Sequence, residues 1–275
     1  MIKIKNKSHD LIKYWVIVML CAIQLIPIYI TMTVSFKPRT DTSSHWSLPS
    51  SLYIQNYITA IELGNLPRAF YNTAIITVGA TFFVLLLSTM AAYPLARYPS
   101  RLNRGIRIFI LSIMMVPALS LLVPIYVLLL RLGGISRYQG IIPVHVAFHL
   151  PLATYMFSNF IRTIPRELDE AALIDGCSIY FIFYRIIVPL LKPVIVSIII
   201  LTAIPVWNDF QYSIYFLHRP NMRVVTQAVA QYFQQSGSDP NVAAAAALLV
   251  VIPVVLLYLV LQKYFIKGMV DGSIR

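Results

Sequence analysis

The sequence predicts an all-α membrane protein, a polytopic bundle of six transmembrane helices. Three observations predict it. Of 275 residues, 59% are apolar and 12% are charged, and the mean hydropathy is +0.75; a soluble domain carries about a quarter charged residues. The apolar residues gather into uncharged windows of 23 to 28 residues, and a helix needs about 20 to cross a bilayer. The windows are continuous, whereas a barrel shows segments of about 10 residues with alternating hydrophobicity. Only helices and closed barrels satisfy their backbone groups in lipid. A disordered chain, a water-soluble globule and a disulfide-stapled secreted module are thereby excluded.

Taken in order, the windows are residues 14–36, 69–96, 108–130, 138–161 and 240–262, with one more that begins at Pro193 and meets its only charge at Asp209. The first is long and lacks a small-residue cleavage site, so it reads as a signal anchor. Residues 37–68 form an external segment rich in Ser, Pro, Tyr and Asn, with a short interfacial helix expected over 56–63. A second external loop spans 218–241. Prolines at 27, 94, 117, 124, 143, 205 and 253 fit spans that bend or break around a cavity.

Six crossings put both termini on one side. Fifteen Lys and Arg residues fall on that side and seven on the other, so the termini are expected in the cytoplasm. The net charge of +12 is then a topogenic and lipid-facing signal. The basic residues are spread over four separate pieces and no nucleic-acid motif accompanies them. Three regions follow: a tail, first span and external loop over 1–68, a core of five spans over 69–266, and a cytoplasmic tail over 267–275.

The cytoplasmic loop at 163–192 carries ordered signals. Pro165 suits a first helical turn. Glu167, Asp169 and Glu170 follow, where the macrodipole favours acids, and Gly176 suits a left-handed terminating position. A short helix is expected over 165–175, then an apolar helix over 179–188 closed by Pro189. Leu168, Ala171, Ala172 and Asp175 share one face by spacing. Two small alanines let another backbone approach, and Glu170 adds a directional charge. Such a helix either docks on a partner or packs on its own bundle.

Glu170-Ala171-Ala172, three residues, Gly176, nine residues, then Ile186-Ile187-Val188-Pro189 resembles the EAA loop of bacterial ABC importer permeases, with Val188 in place of Leu. Met115-Val116-Pro117, Pro124-Ile125-Tyr126, Ile164-Pro165, Trp207-Asn208-Asp209-Phe210 and the run from Gln262 to Gly268 resemble its carbohydrate-uptake branch, in particular the smaller six-span permease of maltose-type importers. The resemblance implies the type I importer fold in the bacterial inner membrane and a coupling helix that docks in a cleft of a separate ATPase homodimer. It implies that Glu170, Ala171, Ala172, Asp175, Gly176 and Pro189 serve that coupling. It implies a second permease subunit, an external solute-binding protein, and a sugar or oligosaccharide cargo. The tail from Gly268 would reach the ATPase interface, although Asp271 departs from the small residues expected there. There is no G-x-x-x-x-G-K-[ST] loop, so ATP and Mg²⁺ belong to the partner, and this chain is a transport subunit with no cofactor of its own.

Asp209 is the one acid in a span, and such a residue is a site candidate. With Trp207, Asn208 and Tyr212 it offers a ring to stack on a sugar and groups to bond hydroxyls, or else a polar lock between helices. His145 and His149 stand at i, i+4, the spacing of a two-histidine metal site, but the intervening Glu of a metalloprotease helix is absent. They read as pore-facing or helix-bonding polar residues. An ion- or proton-coupled carrier is the alternative function; it needs an acid–base relay and internal repeats, and the sequence shows a single acid and no clear repeat. An intramembrane enzyme lacks a paired nucleophile and base.

Overall fold

The computed structural model describes residues 7–234 and 239–273, with side chains over 13–233 and 239–262. Twelve helices and one 3-10 turn, Pro220–Met222, occur among them; in chain order the helices are α1 Lys7–Ser35, α2 Gln55–Leu63, α3 Leu66–Arg97, α4 Arg101–Met114, α5 Ala118–Arg131, α6 Tyr138–Thr163, α7 Glu167–Ile174, α8 Ile179–Leu190, α9 Lys192–Trp207, α10 Gln211–Phe216, α11 Val225–Gln234 and α12 Pro240–Ser273. Four are long and apolar enough to cross a membrane: α1, α3, α6 and α12. Two further crossings are bent pairs, α4 with α5 at 93° and α8 with α9 at 73°, which bring the number to six if each pair is one span.

The bends have local causes. Ser100 caps α4 by accepting from the Asn103 amide at 3.0 Å, and the Asn103 side chain donates to the Tyr98 carbonyl at the end of α3 at 2.7 Å. α4 ends where Pro117 adopts an extended ψ of 119°, because proline excludes the preceding residue from helix. The sequence window over 108–130 is therefore one span in length but two helices in geometry. Pro94, Pro143, Pro205 and Pro253 stay inside continuous helices. Pro189 does not close α8: it occupies the first turn of its final segment, Val188–Leu190, and the break falls at Leu191, before Pro193.

The chain divides into two compact units. One comprises Met1–Leu66 and Ala228–Val251. Its serine-rich segment has a clear purpose. Lys37 is 2% exposed, and its ammonium donates to Ser43 Oγ at 2.8 Å, the Ser44 carbonyl at 2.7 Å and Ser47 Oγ at 3.0 Å. All three of its donors are used. Asn56 at the start of α2 donates to the carbonyls of Ser35 and Lys37, both at 2.8 Å. That tether fixes the short helix expected from the sequence.

The other unit comprises Pro67–Gln227 and Ile252–Arg275. α6 runs through its core, burying Ile141, Phe157 and Ile161 completely. It packs against α4, α9 and α10. Ala80 and Val84 of α3 and Ile198 of α9 complete the buried cluster. All the features below lie in this unit.

Candidate functional site

The predicted coupling helix is α7; it spans Glu167–Ile174, so Pro165 stands before it rather than in its first turn, while its closure follows the sequence reading. Gly176 has φ +76°, a conformation that costs any other residue. The Cys177 amide bonds the Ala172 carbonyl at 2.9 Å and the Gly176 amide bonds the Leu173 carbonyl at 3.0 Å. This pair of bonds is the Schellman closure. Asp175 is the last residue before the left-handed turn.

The helix presents two unlike faces. Glu170, Ala171, Leu173 and Ile174 are exposed, Ile174 at 87%. Ala172 and Asp169 are buried. The two alanines expected on one docking face are thus divided: Ala171 points out, and Ala172 packs into this chain's own core. The reason lies in Asp169, which the sequence reading passed over as one more first-turn acid. Its carboxylate meets the Arg97 guanidinium at 2.7 Å and accepts from the Tyr93 hydroxyl at 2.8 Å. Arg97 also donates to the Ile164 carbonyl at 2.9 Å. The Tyr93 ring lies 5.4 Å from that of Phe183, in the π-helical stretch Ile182–Ile187 of α8. The end of α3, the start of α7 and α8 are therefore tied at one buried point. A two-residue offset from Glu167 to Asp169 was the sole sequence signal for it, and that signal has no partner within 70 residues.

The second predicted group is split. Asn208, Asp209 and Tyr212 line a cavity of about 610 Å³ that opens between the bend from α4 to α5 and the break from α9 to α10, beside Pro205, His145 and His149. Trp207 does not line it. Its ring sits 6.0 Å from Phe70 and faces a separate apolar cavity with Ala74, Phe82 and Pro253. The helix ends at Trp207, so Asp209 lies in the break after it, outside any continuous helix. Its carboxylate accepts from the Tyr212 amide at 3.1 Å, the Ser213 amide at 2.9 Å and the Ser213 hydroxyl at 2.7 Å. It thereby caps α10. His145 Nε2 stands 3.7 Å away, and His149 Nδ1 contacts the His145 carbonyl at 2.8 Å. Tyr212 stacks between Phe148 at 5.0 Å and Phe216 at 6.0 Å. The cavity thus combines aromatic faces, amides and imidazoles beside a carboxylate that the backbone holds. The predicted tail side chains, Asp271 included, lie outside the described side chains.

Comparison with known proteins follows the same lines. Residues 84–271 match the family described as binding-protein-dependent transport system inner membrane component. The melibiose/raffinose/stachyose import permease protein MelC of Bacillus subtilis is 38% identical over 272 residues, covering 98% of each chain. The arabinooligosaccharides transport system permease protein AraQ of Halalkalibacterium halodurans is 29% identical, covering 92% of each. The crystal structure of a bacterial ABC transporter involved in import of the acidic polysaccharide alginate superposes with a TM-score of 0.82 at 20% identity, over 96% of this chain and 99% of that one.

Proposed function

The chain belongs to the binding-protein-dependent transport system inner membrane component family, and from that membership we propose that it is the permease subunit of an ATP-driven importer of sugars or short oligosaccharides. With a second permease it encloses the membrane path. An external binding protein delivers the cargo to the outer loops. The end that carries α7 faces the cytoplasm, where a separate ATPase pair hydrolyses ATP. The observation that carries this reading is the build of α7: clamped on its inner face by Asp169, sealed at its end by Gly176, and offering Glu170, Ala171 and Ile174 outward. A short helix held rigidly at one face transmits a push from whatever seats on the other.

The cavity at Asp209 is the proposed stretch of the path. Tyr212 and Phe148 supply flat apolar faces, and Asn208 and Gln211 supply amides. An apolar wall with a few placed polar groups suits a hydroxylated ring. Names of relatives point to melibiose, raffinose and stachyose and to arabinooligosaccharides. The test is reconstitution of the chain with its cognate permease, ATPase and binding protein in proteoliposomes, with radiolabelled raffinose outside. Uptake is expected only with ATP inside and binding protein outside. Uptake driven by an imposed proton gradient without ATP would identify a carrier and sink the proposal.

A further inference from the structure

Beyond the transport path, the end of the bundle that carries α7 holds a second, unassigned feature. Arg97 from α3, Arg104 and Arg107 from α4, Arg162 from α6 and Arg166 beside α7 converge on one cavity of about 290 Å³. No carboxylate among the described residues lines it. Arg97 is held by Asp169, and Arg162 reaches the Leu95 carbonyl at 3.3 Å. The side chains of Arg104, Arg107 and Arg166 make no hydrogen bond or ion pair among the described residues.

The sequence spaces these five over 70 positions, and the fold brings them together. Like charges gathered around a hollow repel one another, and the repulsion falls when an anion enters. A topogenic signal needs positive charge and lysine supplies it equally; here every cation is arginine, whose planar fork matches phosphate oxygens in pairs. The cavity also touches Ser100 at the N-terminus of the 14-residue α4, where the helix dipole favours negative charge.

A second cavity of about 350 Å³ shares Leu95, Arg104, Arg107 and Arg162 with the first. Its walls include Ile108, Leu111 and Tyr155. Ser158 is 3% exposed there, and its hydroxyl has no partner. Buried hydroxyls are nearly always bonded, and this one is free to bond a group that enters the cavity. The arrangement is a cationic mouth that continues into a pocket walled largely by apolar side chains, with Asn159 and the buried Ser158 hydroxyl among its polar groups.

We propose that this pair of cavities binds a phosphate group, with the arginines on its oxygens and Ser158 on an adjoining ester or hydroxyl oxygen. Two sources present that chemistry: the headgroup of an anionic phospholipid, whose chains continue along the apolar wall, and a soluble phosphate ester. The experiment uses the assembled importer, purified and delipidated. In one arm, native mass spectrometry follows adducts formed with phosphatidylglycerol and with phosphatidylcholine. In the other, calorimetry follows glycerol 3-phosphate. Each arm is repeated with the variant R104Q/R107Q, checked for unchanged helical content and assembly mass.

Phosphatidylglycerol adducts in excess of phosphatidylcholine, reduced at least about 10-fold by the variant, support the site with lipid as its source. Saturable glycerol 3-phosphate binding with the same loss supports it with a soluble source. Absence of binding in both arms overturns the proposal, as does binding that the variant leaves intact. Where the double variant fails to assemble, R107Q alone carries the same comparison, with a loss of several-fold expected and undiminished binding overturning the site.

Discussion

Asp169 and Asp209 are two buried carboxylates in one compact unit, and the protein satisfies them by opposite means. Asp169, with its side chain 12% exposed, faces a full cation, the 6% exposed Arg97, at 2.7 Å. Asp209, 8% exposed, faces His145 at 3.7 Å and rests mainly on amides of its own following turn. The first ties together segments 72 positions apart. The second ties the five residues 209–213 and leaves one edge toward a cavity. A long-range ionic clamp makes a rigid point, suited to transmitting force. A local cap holds a charge in place while the elements around it remain free to move.

The comparison breaks most visibly at the clamp. Asp169→Ala strands the Arg97 guanidinium in the interior, and losing one partner of a buried pair costs about 3–5 kcal/mol. The expected outcome is a large fall in the melting temperature of the purified subunit and protease cleavage near α7. Replacing both partners, as Arg97→Leu with Asp169→Leu, recovers much of that stability, since a buried pair is often no better than well-packed apolar groups. It does not restore uptake if the clamp transmits force. A single variant within about 1 kcal/mol of the parent would remove the clamp from the account.

Glu170 is the sequence neighbour of Asp169 and is exposed. Glu170→Lys is therefore expected to leave the melting temperature and membrane insertion unchanged while uptake falls about 100-fold, a loss equal to about 2.7 kcal/mol of coupling. ATP hydrolysis by the assembled complex no longer responds to loaded binding protein. Normal uptake in this variant would take Glu170 out of the mechanism. Third in size is Gly176→Val. No atom lies near the added Cβ, so the cost is purely conformational. A β-branched residue held at φ +76° costs about 1–3 kcal/mol. Impaired ATPase association with a modest drop in melting temperature is expected, and full association would argue against a fixed turn.

The same contrast explains what could be read before the fold was known. α7 and its end were legible because three first-turn acids and a glycine act within the ten positions 167–176, and capping is chemistry between near neighbours. The partition of Ala171 from Ala172 was not, because it depends on which residue of the helix finds Arg97, and nothing local marks Arg97 among the many arginines. Hydropathy located the spans and prolines marked where they could bend, but a window gives length and composition, so nothing local told Pro117, which ends a helix, from Pro94, Pro143, Pro205 and Pro253, which stay inside one. Trp207 and Asp209 look like one cluster in sequence. A chain that leaves its helix between them turns the ring and the carboxylate toward different cavities.

The smallest expected effect tests the other half of the comparison. Asparagine caps a helix about as well as aspartate, whereas alanine forfeits about 0.5–2 kcal/mol. Asp209→Asn offers one acceptor oxygen where Asp209 uses two, one for the Tyr212 amide and one for Ser213, so it should keep one of these sets and lose less stability than Asp209→Ala, within about 1 kcal/mol of the parent. What it removes is the charge shared between His145 and the cavity. If the cavity lies on the sugar path, the variant shifts the concentration of half-maximal uptake by several-fold, with insertion and ATPase docking intact, and Asp209→Ala adds a stability loss on top. If uptake by Asp209→Asn matches the parent at every sugar concentration, the carboxylate is a helix cap and nothing more. The path would then have to be sought along residues that do not face this break.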